Sequence, residues 1–184
     1  PLVLPASARR AAAIFEGFNS GMEGGLAVAE ALFGLINPSG KLTISIPVHV
    51  GQQPVFYSQV RGQHSLRESA TGLTTPSAPA QDLGYRYADL TQDPLFPFGH
   101  GLSYTTFDYS NLRVARAGQG ALTVTVEVAN TGARDGDDVV QLYATPPAAS
   151  QPQEIRALCG FARVSLKVGE KRTLKIAVPA IALR

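Results

Sequence analysis

The sequence predicts an α/β segment followed by an all-β sandwich, and three observations carry that expectation. In the first half, Ala27, Val28, Ala31, Leu32 and Leu35 recur at helical spacing beside Gly-rich turns. In the second half, Leu122, Val124, Val126 and Val128 alternate with Thr123, Thr125 and Glu127, the pattern of a strand with one buried and one solvated face. Between them, the stretch from Pro94 to Phe107 reads as a hinge. Pro94 and Pro97 fix φ, while Gly99 and Gly101 admit backbone conformations closed to other residues. Leu95, Phe96, Phe98, Leu102, Tyr104 and Phe107 are too apolar for a solvated linker, so a rigid connector packed between two layers is expected.

In chain order, Leu2 to Leu4 suits the end of a buried strand, and Ser7 can cap a helix that carries Ile14, Phe15 and Phe18 and ends near Asn19. The loop from Asn19 to Gly25 feeds the second helix. Asn37-Pro38-Ser39-Gly40 places Pro and Gly where a tight turn needs them, and Leu42, Ile44 and Ile46 then alternate with Thr43 and Ser45 as a half-buried strand. From Ser65 to Leu83 the composition shifts to Ser, Thr, Ala, Pro and Gly without periodicity, which predicts an exposed, flexible insertion.

Beyond the connector, Asn130-Thr131-Gly132 and Asp135-Gly136 read as turns. Further strands are expected at Val139 to Ala144, Ile155 to Leu166 and Arg172 to Val178, the last two separated by a turn at Val168-Gly169-Glu170. About five strands result, where a sandwich of this kind has about seven. The α/β elements are likewise too few to close a core. The expectation is a fold truncated at both ends, with an unpaired sheet edge.

Composition narrows the function classes. With 184 residues, 45% hydrophobic and 16% charged, the chain has room for one domain or two partial ones with a buried core. The net charge of +2 and the scattered Lys and Arg argue against a nucleic-acid partner. No apolar run approaches the ~20 residues of a membrane span. Cys159 is the sole cysteine, which excludes an internal disulfide, and its apolar neighbours suggest a buried thiol. No charged-then-apolar leader opens the chain, and an export signal would lie upstream of Pro1.

The connector, read together with Asn37-Pro38-Ser39-Gly40-Lys41-Leu42 and Gly51-Gln52-Gln53-Pro54-Val55-Phe56-Tyr57, resembles the C-terminal part of family 3 glycoside hydrolases, the β-glucosidase and β-xylosidase group. The resemblance covers nearly the whole chain. It implies that residues 1–64 are the end of an α/β sandwich domain, 65–83 an insertion, 84–103 the packed connector and 104–184 an immunoglobulin-like, fibronectin type III-like β-sandwich lacking its last strands. It implies further that an N-terminal barrel and the rest of the α/β domain are partners outside this chain. The substrate class it implies is a terminal, non-reducing β-linked glycoside or oligosaccharide.

Glycoside hydrolysis needs two carboxyl groups flanking the scissile bond. The resemblance places the nucleophilic Asp in the barrel and the acid/base Glu N-terminal to this segment, so no catalytic residue, cofactor or metal is assigned here. The isolated chain is expected to be inactive. Glu23, in a Gly-rich loop at a helix N-terminus, suits capping, where the dipole favours the anion and makes a poor general acid. Its alternatives are the wall of a sugar pocket or catalysis. Tyr57, Arg61, Gln63 and His64 combine an aromatic face with fixed donors and are, with Glu23, the candidates for a substrate-binding pocket rim; the bland reading is a solvated loop. His49 and His100 lack metal-ligand spacing, and Asp135, Asp137 and Asp138 lack the Glu of a calcium loop and suit a turn. The runner-up for the whole chain is a non-catalytic carbohydrate- or protein-binding module. Against it, the sandwich offers no aromatic row and the chain no Trp.

Overall fold

The computed structural model describes residues 3–58, 93–145 and 156–183. The expected insertion at 65–83 lies outside the described residues.

The second half builds the predicted sandwich. Among the described residues five strands form it: β1 (Phe107–Arg116), β2 (Leu122–Asn130), β3 (Gly136–Ala144), β4 (Ala157–Leu166) and β5 (Lys171–Val178). One antiparallel sheet has the order β1-β2-β5 and the other pairs β3 with β4. Period-2 alternation turns Val126, Val128 and Ile176 of the first sheet toward Val140, Val164 and Leu166 of the second, and Phe107, Leu142, Ala162 and Leu174 fill in around them. Val128 and Leu166 are 0% and 2% exposed, which puts the centre of the core between β2 and β4.

Asn130, at the end of β2 and 1% exposed, ties the sheets together. Its Oδ1 accepts from the Thr105 hydroxyl at 2.8 Å and from the Gly132 N–H at 3.1 Å, and its Nδ2 donates to the carbonyls of Arg134 and Leu166. A buried amide with its groups paired in this way avoids the cost of unsatisfied polar atoms. The turn at Val168-Gly169-Glu170 carries the chain from β4 to β5, that is, from one sheet to the other, with Gly169 at φ +74°.

Strand β1 is the element the alternation did not announce. Its pairing with β2 shifts register between Ser110 and Arg113, where Asn111 adopts φ +55°. This bulge destroys the period, leaving Leu112 and Val114 on the exposed surface. A second correction concerns Asp135-Gly136: the strand begins at Gly136, so Asp137 and Asp138 are strand residues rather than a turn.

The first half holds less regular structure than expected. The helix from Ser7 to Asn19 reduces to a 3-10 turn at Ala8–Arg10, with Ser7 making no side-chain cap. Phe18 sits at φ +45° and Gly21 at φ +66°, conformations no helix contains. Ile14, Phe15 and Phe18 are exposed, so the packing that stabilises a short helix is not provided by the described residues. Val3 and Leu4 likewise belong to no strand.

The second helix, α1, spans Gly24–Leu32. Of the predicted stripe only Ala31 is buried, whereas Val28, Leu32 and Leu35 are exposed. Helical period specifies a face; it does not supply the surface that covers it.

The expected strand at 42–46 is present as pairing without a regular strand. Leu42 exchanges backbone bonds with Gly99 and His100, and Ile46 with Leu95 and Phe96, each at 3.2 Å or less. The connector is therefore half-buried against this segment, although Leu102, expected to pack, is 77% exposed.

Candidate functional site

The features of greatest chemical interest gather where the connector meets both halves. Gln52, buried in the short helical turn Val50–Gln52, organises the loop before it. Its Oε1 accepts from the N–H groups of Val48 (2.6 Å) and His49 (3.3 Å), and its Nε2 donates to the Asp93 carbonyl at 3.2 Å. His49 Nδ1 accepts from the Gly51 N–H at 3.0 Å, a structural role. The loop is thus tied to the start of the connector, and a few residues on, the Tyr57 ring stacks on Phe98 with centroids 4.1 Å apart and planes at 16°.

The Phe98 N–H donates to Ser45 Oγ at 3.2 Å, and the next residue, Gly99, is held from the sandwich side. Gly99, at φ +80°, turns its carbonyl to accept from Gln141 Nε2 at 3.1 Å, and the Tyr143 hydroxyl donates to Gln141 Oε1 at 2.5 Å. The Arg156 guanidinium lies 5.6 Å from the Tyr143 ring centroid. Burial pushes the Tyr143 hydroxyl pKa up, with Arg156 acting against the shift and Tyr57 reinforcing it. On the other side of the turn, His100 stacks on Phe96 with centroids 5.0 Å apart. Burial, and then the charge of Lys41, lower the His100 pKa, so the neutral imidazole is favoured.

A buried ion pair crosses the same junction. Lys41 Nζ lies 3.0 Å from Asp138 Oδ1 and donates to the Gly101 carbonyl at 2.9 Å, while the Tyr109 hydroxyl donates to Asp138 Oδ2. Burial first, and then the bond and charge of Asp138, raise the Tyr109 pKa far above the ordinary phenol range. Sequence reading placed Asp138 in a turn and missed this contact. The alternation of Leu142 and Val140, continued back by two residues, would have turned Asp138 inward. Arg134, beyond β2, donates to the Gly34 carbonyl at 3.1 Å, and Tyr104 donates to the Ala31 carbonyl, so the end of α1 is also bonded to the sandwich side.

Of the predicted site residues, Glu23 and Tyr57 are among those described. Glu23 stands at the N-cap of α1, exposed, with no side-chain cap hydrogen bond, which corrects the expected capping role. A preceding turn closed by the Gly24 N–H on the Gly21 carbonyl occupies that end of the helix instead. Tyr57 is 39% exposed and lies beside the connector, with no hydrogen bond or ring contact to Glu23 among the described residues. Arg61, Gln63 and His64 lie outside the described residues. Asp135 accepts from the Val168 N–H, Asp137 pairs with Arg163 and Asp138 with Lys41, so the three carboxylates serve separate contacts.

The family model described as the glycosyl hydrolase family 3 C-terminal domain matches residues 1–104. The chain belongs to glycoside hydrolase family 3. A fibronectin type III-like domain model matches residues 138–184, which hold most of β3 and all of β4 and β5. Among relatives of this family 3 chain, a periplasmic beta-glucosidase of Salmonella typhimurium is 41% identical over 100% of the chain, which covers 23% of that protein. A beta-xylosidase of Formosa agariphila is 42% identical over 95% of the chain and 22% of the relative. The solved beta-glucosidase from Listeria innocua in complex with isofagomine superposes with a TM-score of 0.73 at 31% identity, covering 88% of this chain and 22% of that one. The family 3 chain therefore spans under a quarter of the length of the relatives it matches, and it corresponds to their C-terminal part.

Proposed function

We propose that this chain is the C-terminal bracing portion of a retaining, exo-acting β-glycosidase that hydrolyses terminal non-reducing β-linked glycosides. In this reading the nucleophile and the acid/base lie upstream, in a barrel and in the earlier part of the α/β domain. The chain locks its α/β segment to the fibronectin type III-like sandwich and lends rim residues to the substrate pocket. Tyr57 is the first of these, with Arg61, His64 and Glu23 as the further candidates.

The single observation that carries the bracing role is the Lys41–Asp138 pair. It joins the Asn37-Pro38-Ser39-Gly40 turn to strand β3 across the connector, with the two side chains 19% and 6% exposed. A charge pair desolvated to that degree tolerates little movement between the parts it joins, since separating them strands a buried charge. The names of the relatives support β-glucosides or β-xylosides as the substrate class.

The test compares the 184-residue chain with the longer polypeptide that includes the upstream barrel, using 4-nitrophenyl β-glucoside and β-xyloside. The expected result is turnover by the longer protein and none by the chain alone. Turnover by the isolated chain that Glu23→Gln abolishes would overturn the reading.

A further inference from the structure

We infer that Gln141 and Tyr143, two residues of the sandwich strand β3, are positioning residues for Tyr57 and so adjust substrate affinity from within the fibronectin type III-like domain. The inference rests on the proposed rim role of Tyr57 and deepens it.

The contacts form an unbroken chain. The Tyr143 hydroxyl donates to Gln141 Oε1, and Gln141 Nε2 in turn donates to the Gly99 carbonyl. That bond orients the Gly99–His100 peptide unit, next along the chain from Phe98, and the Phe98 ring is the surface on which Tyr57 lies at 4.1 Å. The Tyr143 bond fixes which end of the Gln141 amide faces Gly99: with its oxygen taken by the hydroxyl, its NH₂ group is the end left to donate. A side chain at Gly99 would displace this pair. A Cβ on Gly99 would run into Gln141 Oε1 and stand 2.6 Å from the Tyr143 hydroxyl, and φ +80° already disfavours any other residue. Gln141 and Tyr143 are themselves half-buried on β3, a strand whose register with β4 sets their place along the sheet.

An aromatic ring whose plane is already fixed binds a sugar more tightly, because a freely rotating ring loses rotamer freedom on binding. In this arrangement Phe98 fixes the plane of Tyr57, Gln141 holds the Gly99 carbonyl beside Phe98, and Tyr143 fixes Gln141. A domain without a catalytic carboxylate thereby acts on KM through packing.

The experiment is a double-mutant cycle on the longer polypeptide, with 4-nitrophenyl β-glucoside as the probe and a thermal melt of each variant. Tyr57→Ala is expected to raise KM, and Gln141→Leu to raise it about fivefold, the fold-change to which the loss of one hydrogen bond converts, with kcat within about twofold. In the Tyr57→Ala background, Gln141→Leu is expected to add nothing. Tyr143→Phe, which keeps the ring and loses only the hydroxyl, should follow the same pattern and carries the test if Gln141→Leu does not fold. Additive effects, or a KM unchanged by Tyr143→Phe while Tyr57→Ala raises it, overturn the inference and leave the rim role of Tyr57 standing. A KM unchanged by Tyr57→Ala overturns the rim role and the inference together, as does the absence of hydrolysis by the unmodified longer protein.

Discussion

Lys41 Nζ and the Asp138 carboxylate meet at 3.0 Å with only 19% and 6% of their side chains exposed, one residue coming from the α/β segment and the other from the sandwich. Removing Lys41 leaves a buried carboxylate with the Tyr109 hydroxyl as its remaining side-chain partner among the described residues. Lys41→Met is expected to lower stability by about 3–5 kcal/mol. The double variant Lys41→Met/Asp138→Leu should regain most of that loss, because it removes the charge as well as its partner. Urea unfolding of the three proteins measures both effects, and a Lys41→Met loss below about 1 kcal/mol contradicts the account.

The sandwich core gives a second expectation. Leu166, 2% exposed among Val126, Val128, Val140, Val164 and Ile176, should lose about 2–5 kcal/mol on substitution by Ala, since close packing leaves a cavity. Phe161, on the opposite face of β4 and 67% exposed, should tolerate Ala within about 0.5 kcal/mol. Equal losses at the two positions by chemical denaturation would mean that the two sheets do not pack as described.

Two glycines should respond in opposite directions. A Cβ at Gly101 would collide with the backbone carbonyl of Gly40, which cannot rotate away, so Gly101→Ala should open the connector and lower the melting temperature. Gly25, inside α1 with nothing within 4 Å of its Cβ position, should be stabilised by Ala by about 0.4–1 kcal/mol through a less flexible unfolded chain. Calorimetry on the pair checks the sign of each.

His100 supplies a pH dependence. Its folded pKa is lowered by burial and by Lys41, so as pH falls the unfolded chain takes up a proton that the folded chain resists. Stability linked to His100 is therefore fully present above the ordinary histidine value of 6.5 and declines as pH falls through it. His100→Phe, which keeps a ring against Phe96, should flatten the fall in melting temperature between about pH 7.5 and pH 5. The two remaining histidines are common to both proteins, so the difference between the curves isolates His100. Identical slopes would contradict the assignment.

Legibility in the sequence followed how local the signal was. Strand β2 is readable because Leu122 to Val128 alternate without interruption, and the Val168-Gly169-Glu170 turn because Gly169 adopts a backbone that suits glycine. Strand β1 is not, because the bulge at Asn111 and Leu112 cancels the period that would mark it. The rim candidate Tyr57 is recognisable as an aromatic after a Pro turn, but nothing near it in sequence points to Phe98 or to Gln141.

By itself, then, the sequence determined the division into an α/β segment and a β-sandwich, the family resemblance and the faces of the strands, because these depend on periodicity and on motifs a few residues long. The tertiary structure alone decided that Ser7 to Asn19 is not a helix, that Asp138 pairs with Lys41, and that β3 reaches Tyr57 through Gly99 and Phe98. Each of these depends on which residue, far away in the chain, desolvates or covers a given side chain, and no local pattern encodes that partner.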